Sequence, residues 1–170
     1  FPHRIALFVE RVKCLKRGLK VKKMPEIKDL IQKLREFESQ IPEMLSKASL
    51  SVASDGIAIA QQNIQEKGFG EIYQSEEYMD YRASLGHQTE FVDLTLSAKM
   101  WNGMQPSEVI NEGWKYFCTV SNNTTEGVNK MNYNYERYGD FIGKALKDEV
   151  DTLREIAVET IFNYIEELGI

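Results

Sequence analysis

The stretch Gly86–Gln105 constrains the fold most, because it joins a polar opening, a short amphipathic segment and the approach to a hairpin. Its apolar residues recur at intervals of three and four, which predicts a short helix with one buried face. That face carries Leu96, Met100, Trp101 and Met104. Asp93 or Thr95 is expected to cap the start of this helix, since a side-chain oxygen there accepts from an unpaired backbone N–H.

A β-hairpin is predicted directly after this helix. Val109 and Ile110 belong to the first strand, the residues Asn111-Glu112-Gly113 favour a turn, and Trp114–Val120 reads as the second strand. With helices before and after it, the hairpin predicts an α+β fold. That fold has N-terminal helices, a small antiparallel β-sheet built on the hairpin, and a long C-terminal helix.

Three helical regions surround the hairpin in the sequence. Residues 25–67 predict helix with an interruption near Pro42 and an end at Gly68. Residues 126–138 have helical character, and residues 145–168 give the clearest helical pattern of the chain. The predicted buried positions of the first piece are Ile27, Leu30, Ile31, Leu34 and Phe37. Those of the last helix are Leu146, Val150, Leu153, Ala157, Ile161, Tyr164 and Leu168.

Residues 68–90 are polar and show no sustained period, so they predict a long connection. A connection of this length in a compact domain is usually functional. Tyr73, Tyr78 and Tyr81 lie in it, and tyrosine suits a protein interface because it combines an apolar ring with a polar hydroxyl. The same tyrosines could instead cover the chain's own domain.

Charge is distributed unevenly along the chain. Of 21 basic and 26 acidic residues, eight and one lie in residues 1–23, so residues 24–170 hold 13 against 25 and carry a net charge of −12. Residues 1–23 are therefore interpreted as a basic amphipathic arm, and residues 24–170 as a single domain. An acidic body is a poor nucleic-acid binder, because phosphate contacts require clustered positive charge.

The arm itself has four interpretations. Its apolar residues Ile5, Phe8, Val12, Leu15 and Leu19 would line one side of a helix. The favoured interpretation is packing on a partner or a neighbouring subunit. An acidic protein, an anionic membrane surface and DNA are the alternatives.

No catalytic or metal-binding pattern is present in the sequence. His87 has no other ligand at metal spacing, and Cys118 alternates within an apolar strand, where core packing is the default. Neither of the two glycine-rich phosphate-binding motifs occurs. The sequence therefore predicts no cofactor, no metal and no enzymatic activity. No apolar run approaches the ~20 residues that span a bilayer, so no transmembrane helix is expected, and the favoured partners do not include a membrane.

The order of motifs resembles the tailed-bacteriophage virion morphogenesis and tail-completion proteins, which form the neck between head and tail. The residues that carry the resemblance are Val92, Asp93, Leu94, Thr95, Met100, Trp101 and Met104 before the hairpin, and Tyr133, Tyr138, Gly139, Phe141, Ile142 and Gly143 after it. It covers about residues 25–168 by element order. Ser97-Ala98 and Asp140 depart from the family pattern, which usually has Thr-Gly and Arg there.

The resemblance implies a structural subunit of a virion, assembled in the cytoplasm of a host bacterium and placed in the neck. Its implied partners are copies of itself in a ring, portal or head-completion proteins, and tail-tube or tail-terminator proteins, with DNA passing through the channel without specific binding. The expected interaction residues are Tyr73, Tyr78, Tyr81, Trp101, Met104, Tyr133, Tyr138 and Phe141.

Two further hypotheses belong to other classes. The first is a nucleic-acid-binding or regulatory module that acts through the basic arm. The second is a small enzyme whose site combines Asp93, His87 and the tyrosines of residues 73–81.

Overall fold

In the computed structural model of the chain, residues 24–94 and 99–169 are described, with side chains from Ile27 onward. The chain divides into two units, Phe1–Gln40 and Ile41–Ile170. The boundary predicted after residue 23 stays a prediction. The predicted arm 1–23 and the predicted roles of Thr95, Leu96 and Ser97-Ala98 lie outside the described residues.

The described elements form an α+β fold, as predicted. The helices are α1 (Met24–Lys67), α2 (Glu76–Ser84), α3 (Lys99–Gly103), α4 (Thr125–Tyr138), α5 (Phe141–Ala145) and α6 (Val150–Glu167). The strands are β1 (Met104–Glu112) and β2 (Lys115–Asn122), which pair antiparallel with Met104 opposite Asn122 and Glu112 opposite Lys115.

The hairpin is confirmed, but Asn111 and Glu112, predicted in the turn, belong to β1, and Trp114, predicted on the second strand, lies in the turn. Its connection is the two-residue turn Gly113-Trp114, in which Gly113 has a φ of 72° that favours glycine. The register shifts between Pro106 and Val109 on β1, where a proline cannot donate to the ladder. Met104, predicted on the short helix, is the first residue of β1.

The predicted interruption near Pro42 is wrong, because α1 continues through this residue. Pro42 is exposed, so the carbonyl that loses its donor one turn earlier can bind water. The helix ends where predicted, before Gly68, whose φ of 71° favours glycine.

The core of the second unit surrounds Phe141, which is fully buried. The Trp101 and Phe141 rings meet edge to face with centroids 6.3 Å apart, and the Tyr135 ring lies 4.9 Å from Phe141 on another side. Asp140 caps α5, since its Oδ1 accepts from the Gly143 N–H at 2.8 Å. This cap starts a separate short helix, and α6 therefore begins at Val150 instead of Ala145.

The predicted buried stripe of α6 is wrong in part. Tyr164 is buried, and the Lys47 ammonium lies 4.4 Å from the centre of its ring. Leu153, Ala157 and Ile161 are half-buried, while Val150 and Leu168 are exposed.

Asn122 joins the short helix α3, the hairpin and α4. Its Nδ2 donates to the Met100 carbonyl at 2.6 Å, and its Oδ1 accepts from the backbone N–H and the hydroxyl of Thr124. Gly103 and Gly127 leave room for this side chain, because a Cβ on either would lie 2.2 Å or 2.0 Å from Asn122 Oδ1. The carboxamide is thus the point at which three elements are held together.

We expect Asn122→Ala to lower the free energy of unfolding by about 1–3 kcal/mol, because it leaves buried backbone groups without partners. The matched control is Asn123→Ala, since the neighbouring asparagine is exposed. Urea unfolding followed by circular dichroism measures both, and equal losses in the two variants would contradict the assignment.

Candidate interaction surfaces

A buried ion pair organises residues 71–94. Arg82 is fully buried on α2, and its Nη2 donates to Asp93 Oδ2 at 2.6 Å. The Asp93 carboxylate also accepts from the Tyr73 hydroxyl at 3.0 Å and from Gln88 Nε2 at 2.7 Å. Arg82 Nε donates to the Gln88 carbonyl at 3.1 Å. Charged groups remain buried only when they are paired in this way.

The prediction of a structureless connection over residues 68–90 is wrong in part, because Glu76–Ser84 form helix α2. Ser75 caps the start of α2 by accepting from the Tyr78 N–H at 3.2 Å. Glu76 and Glu77 lie in its first turn, where their negative charge interacts favourably with the helix dipole. The side chain that α2 buries is an arginine. An apolar periodicity is therefore missing, which is why the pattern did not predict a helix here.

A cleft of about 540 Å³ lies beside this network, and we call it the tyrosine cleft. Among the residues that line it are Tyr73, Tyr78, Arg82, Tyr133, Arg137 and Tyr138. The structure thus brings together four of the predicted interaction residues, two from residues 73–78 and two from α4. Leu94, also on the wall, has a φ of 54° in the left-handed region that non-glycine residues rarely adopt.

Arginines set the electrostatics of the tyrosine cleft. The Arg137 guanidinium donates to the Tyr133 hydroxyl at 3.1 Å and lies 5.6 Å from the centre of the Tyr138 ring. Arg82 lies 4.6 Å from the centre of the Tyr73 ring, and its buried Nη1 has no hydrogen-bond partner among the described residues. Aromatic rings attract cations in this geometry, which offsets part of the cost of that unpaired donor.

Two tyrosine hydroxyls of the cleft, those of Tyr73 and Tyr138, are kept protonated. Burial raises the pKa of the Tyr73 phenol far above its ordinary value of 10.0, and the neighbouring Asp93 charge adds to the effect. Burial also raises the pKa of Tyr138. At neutral pH these hydroxyls therefore serve as hydrogen-bonding groups, and a phenolate base or nucleophile is disfavoured.

The other predicted interaction residues lie elsewhere. Tyr81 is exposed on α2 and is absent from the cleft wall. Trp101, Met104 and Phe141 lie in the hydrophobic core, where packing accounts for them. Of the residues suggested for an enzyme, His87 is exposed, while Asp93 is committed to the buried network.

The sequence did not predict a second surface, an apolar groove of about 440 Å³ between α1, β2 and α6. Residues from all three elements line it, including Val52, Cys118, Val120, Leu153 and Ile161. The sequence signal that points to this groove is the presence of small residues on α1, among them Ala53 and Gly56, which line it. A Cβ at Gly56 would lie 3.6 Å from the Leu153 side chain, an ordinary packing distance, so α1 and α6 are in close contact here. Trp114, at the turn of the hairpin, also borders the groove and is 89% exposed.

We expect Arg82→Met to lower the free energy of unfolding by about 3–5 kcal/mol, because it leaves the Asp93 carboxylate buried without its cation. Arg154→Met is the matched control. Its ion pair with Asp151 is exposed, so its loss should stay within about 0.5 kcal/mol. Chemical denaturation measures both, and a small loss for Arg82→Met would show that the pair is not needed for the fold.

We expect stability to fall as the pH rises above 10.0, the ordinary pKa of tyrosine. In that range unfolded Tyr73 releases its proton while folded Tyr73 retains it, so alkali favours the unfolded chain. Tyr73→Phe should flatten this decline, and Tyr81→Phe, which alters an exposed phenol, should leave it unchanged. Melting temperatures across the alkaline range test this, and parallel profiles for wild type and Tyr73→Phe would contradict it.

Comparison with known proteins gives no relative for the chain. No family model matches it, and neither a curated protein nor a solved structure does. Among the described residues, no cluster of three acidic, histidine or cysteine side chains is arranged to hold a metal ion. None of the described helices combines the length and hydrophobicity that a bilayer crossing demands.

Proposed function

We propose that this protein is a structural subunit of a tailed-phage virion, a ring-forming neck or tail-completion protein that joins the portal or head connector to the tail. Its partners in this proposal are copies of itself, portal or head-completion proteins, and tail-tube or tail-terminator proteins. It acts through its shape and its contacts, and its place is the neck of the particle.

The observation that carries the proposal is the amount of apolar surface that the chain leaves exposed. Trp114, exposed at the turn of the hairpin, borders the apolar groove, and Phe162, which is 61% exposed, lines one surface with Val158 on α6. Single exposed apolar residues are ordinary, but clusters on separate elements are typical of surfaces that other protein chains cover. A ring subunit needs two different contact surfaces, because each copy meets one neighbour on either side.

The order of elements supports the same proposal. The residues from Val92 to Met104 that carry the family resemblance lead directly into the hairpin, and those from Tyr133 to Gly143 lead through α4 and α5 towards α6.

The charge of the body supports the proposal as well. At −12 for residues 24–170, the body would repel the backbone of DNA that moves through a channel.

We expect the purified protein to form closed rings, and the protein to be present in the neck of assembled particles. Analytical ultracentrifugation gives the mass of the assembly, electron microscopy its rotational symmetry, and mass spectrometry of purified virions its presence there. A strictly monomeric protein that is absent from virions would overturn the proposal. Salt-dependent DNA binding that disappears on deletion of residues 1–23 would overturn it in favour of the nucleic-acid-binding hypothesis.

We expect Trp114→Ser to weaken assembly while leaving the melting temperature of the subunit within a few degrees of wild type, because the indole is exposed in the single chain. Lys115→Ser is the matched control, since it alters the next, polar position of the same hairpin. Sedimentation velocity over a concentration series measures assembly. Equal behaviour of the two variants would remove the hairpin turn from the ring contact.

A further inference from the structure

The first unit of the chain presents an apolar stripe to water. Its described residues, 24–40, belong to α1, and Ile27, Leu30, Ile31 and Leu34 on this helix are between 45% and 59% exposed. The sequence predicts these side chains as the buried face of a helix. In the single chain that face remains exposed, and exposed apolar stripes of this kind are typical of helices that pair with another helix.

The stripe follows the heptad spacing of a coiled coil. Ile27 and Leu34 occupy successive a positions, and Leu30 and Phe37 occupy the d positions between and after them. The same spacing continues in the sequence to Ile41. Side chains at a and d positions insert between those of a partner helix, which buries them on both sides. Ile31, at an e position, widens the apolar face beyond the minimum that two strands need.

The charged residues beside the stripe favour one orientation of the partner. Lys33 lies at a g position and Glu38 at the following e position; both side chains are exposed. Neither forms an ion pair within the part of the chain that the structure describes. In a parallel pair of helices, a g residue meets the next e residue of its partner, so Lys33 of each copy would meet Glu38 of the other. An antiparallel pair of the same helix places g positions opposite g positions and e positions opposite e positions, so Lys33 and Glu38 would not meet.

We propose that residues 27–41 of α1 associate in parallel with the same residues of a second copy of this chain. The proposal goes beyond the proposed function, because a pair in which identical residues face each other has two-fold symmetry and joins copies in pairs, in addition to the two different surfaces that close a ring. The second copy fits because it supplies the complementary apolar face and the complementary charge at the same time. Two heptads give a marginal helix pair by themselves, so this contact adds to others in the assembly and does not replace them.

Cysteine cross-linking tests the orientation and the register. In a full-length chain with Cys14→Ser and Cys118→Ser, Leu30→Cys places one thiol at a d position, where two parallel helices bring identical residues together. Mild oxidation should then give a disulfide-linked dimer on a non-reducing gel. Gln32→Cys, at the exposed f position, is the matched control and should remain largely uncross-linked.

A charge reversal tests the proposed ion pairs. Lys33→Glu should weaken self-association about two- to tenfold, because it opposes two carboxylates in a parallel pair. Adding Glu38→Lys should restore the wild-type affinity, since the opposite charges then meet again in exchanged positions. Sedimentation equilibrium measures both variants. Restoration in the double variant supports the parallel pair, while equal weakening in the single and double variants contradicts it.

The outcomes separate this inference from the proposed function. Rings that form while Leu30→Cys and Gln32→Cys cross-link equally, or not at all, would overturn the helix pairing and leave the ring proposal standing. Cross-linking of Leu30→Cys in a protein that forms only dimers and is absent from virions would support the pairing and overturn the ring. A further variant, Leu30→Cys with Leu15→Cys, tests whether residues 1–23 cover the stripe. A disulfide formed within one chain would overturn the second copy as its occupant.

Discussion

The structure of residues 71–94 depends on the cost of burying a charge. Asp93 has a carboxylate in the interior, and the fold satisfies it with Arg82, Tyr73 and Gln88. These residues come from the segment after α1, from α2 and from the loop that follows it, so satisfying one carboxylate fixes three parts of the chain. The tyrosine cleft follows from this arrangement, because Tyr73 and Arg82 form part of its wall. A substitution of Tyr73 or Arg82 in the cleft wall would therefore also change the stability of the unit beneath it.

Asn122 also holds separate elements together, because its carboxamide bonds to both α3 and the start of α4. It binds Met100 of α3 and Thr124 at the start of α4 through neutral hydrogen bonds, with two glycines leaving space for it. Removing a neutral partner costs less than removing one member of a buried ion pair. The fold therefore tolerates disturbance at the hairpin base better than at Arg82. The hairpin and the tyrosine cleft are consequently supported by interactions of different strength.

Local signals in the sequence were sufficient for some elements and insufficient for others. The turn residues up to Gly113 and the alternation of β2 predicted the hairpin, and Gly68 predicted the end of α1, because both depend on backbone conformations of nearby residues. Helix α2 was missed because its buried side chain is Arg82, whose burial depends on a residue eleven positions later. Tyr73, Tyr78, Tyr133 and Tyr138 were predicted as interaction residues, but their meeting in one cleft depends on tertiary packing. The same dependence places Trp101, Met104 and Phe141 in the core, where composition alone could not distinguish them from surface aromatics.

The unequal burial of apolar residues connects the fold to assembly. Around Phe141 the core is closed, whereas the stripe of α1 and the outer face of α6 remain in water in the single chain. Burying an apolar side chain is favourable by about 1.5–3 kcal/mol. Contact with another protein surface would therefore stabilise the exposed stripes by burying them. In the proposed assembly the chain would gain stability from its neighbours, and the charges beside the α1 stripe would restrict which orientation of a neighbour is allowed. On this proposal, exposed apolar surface drives association and the charges beside it direct the orientation.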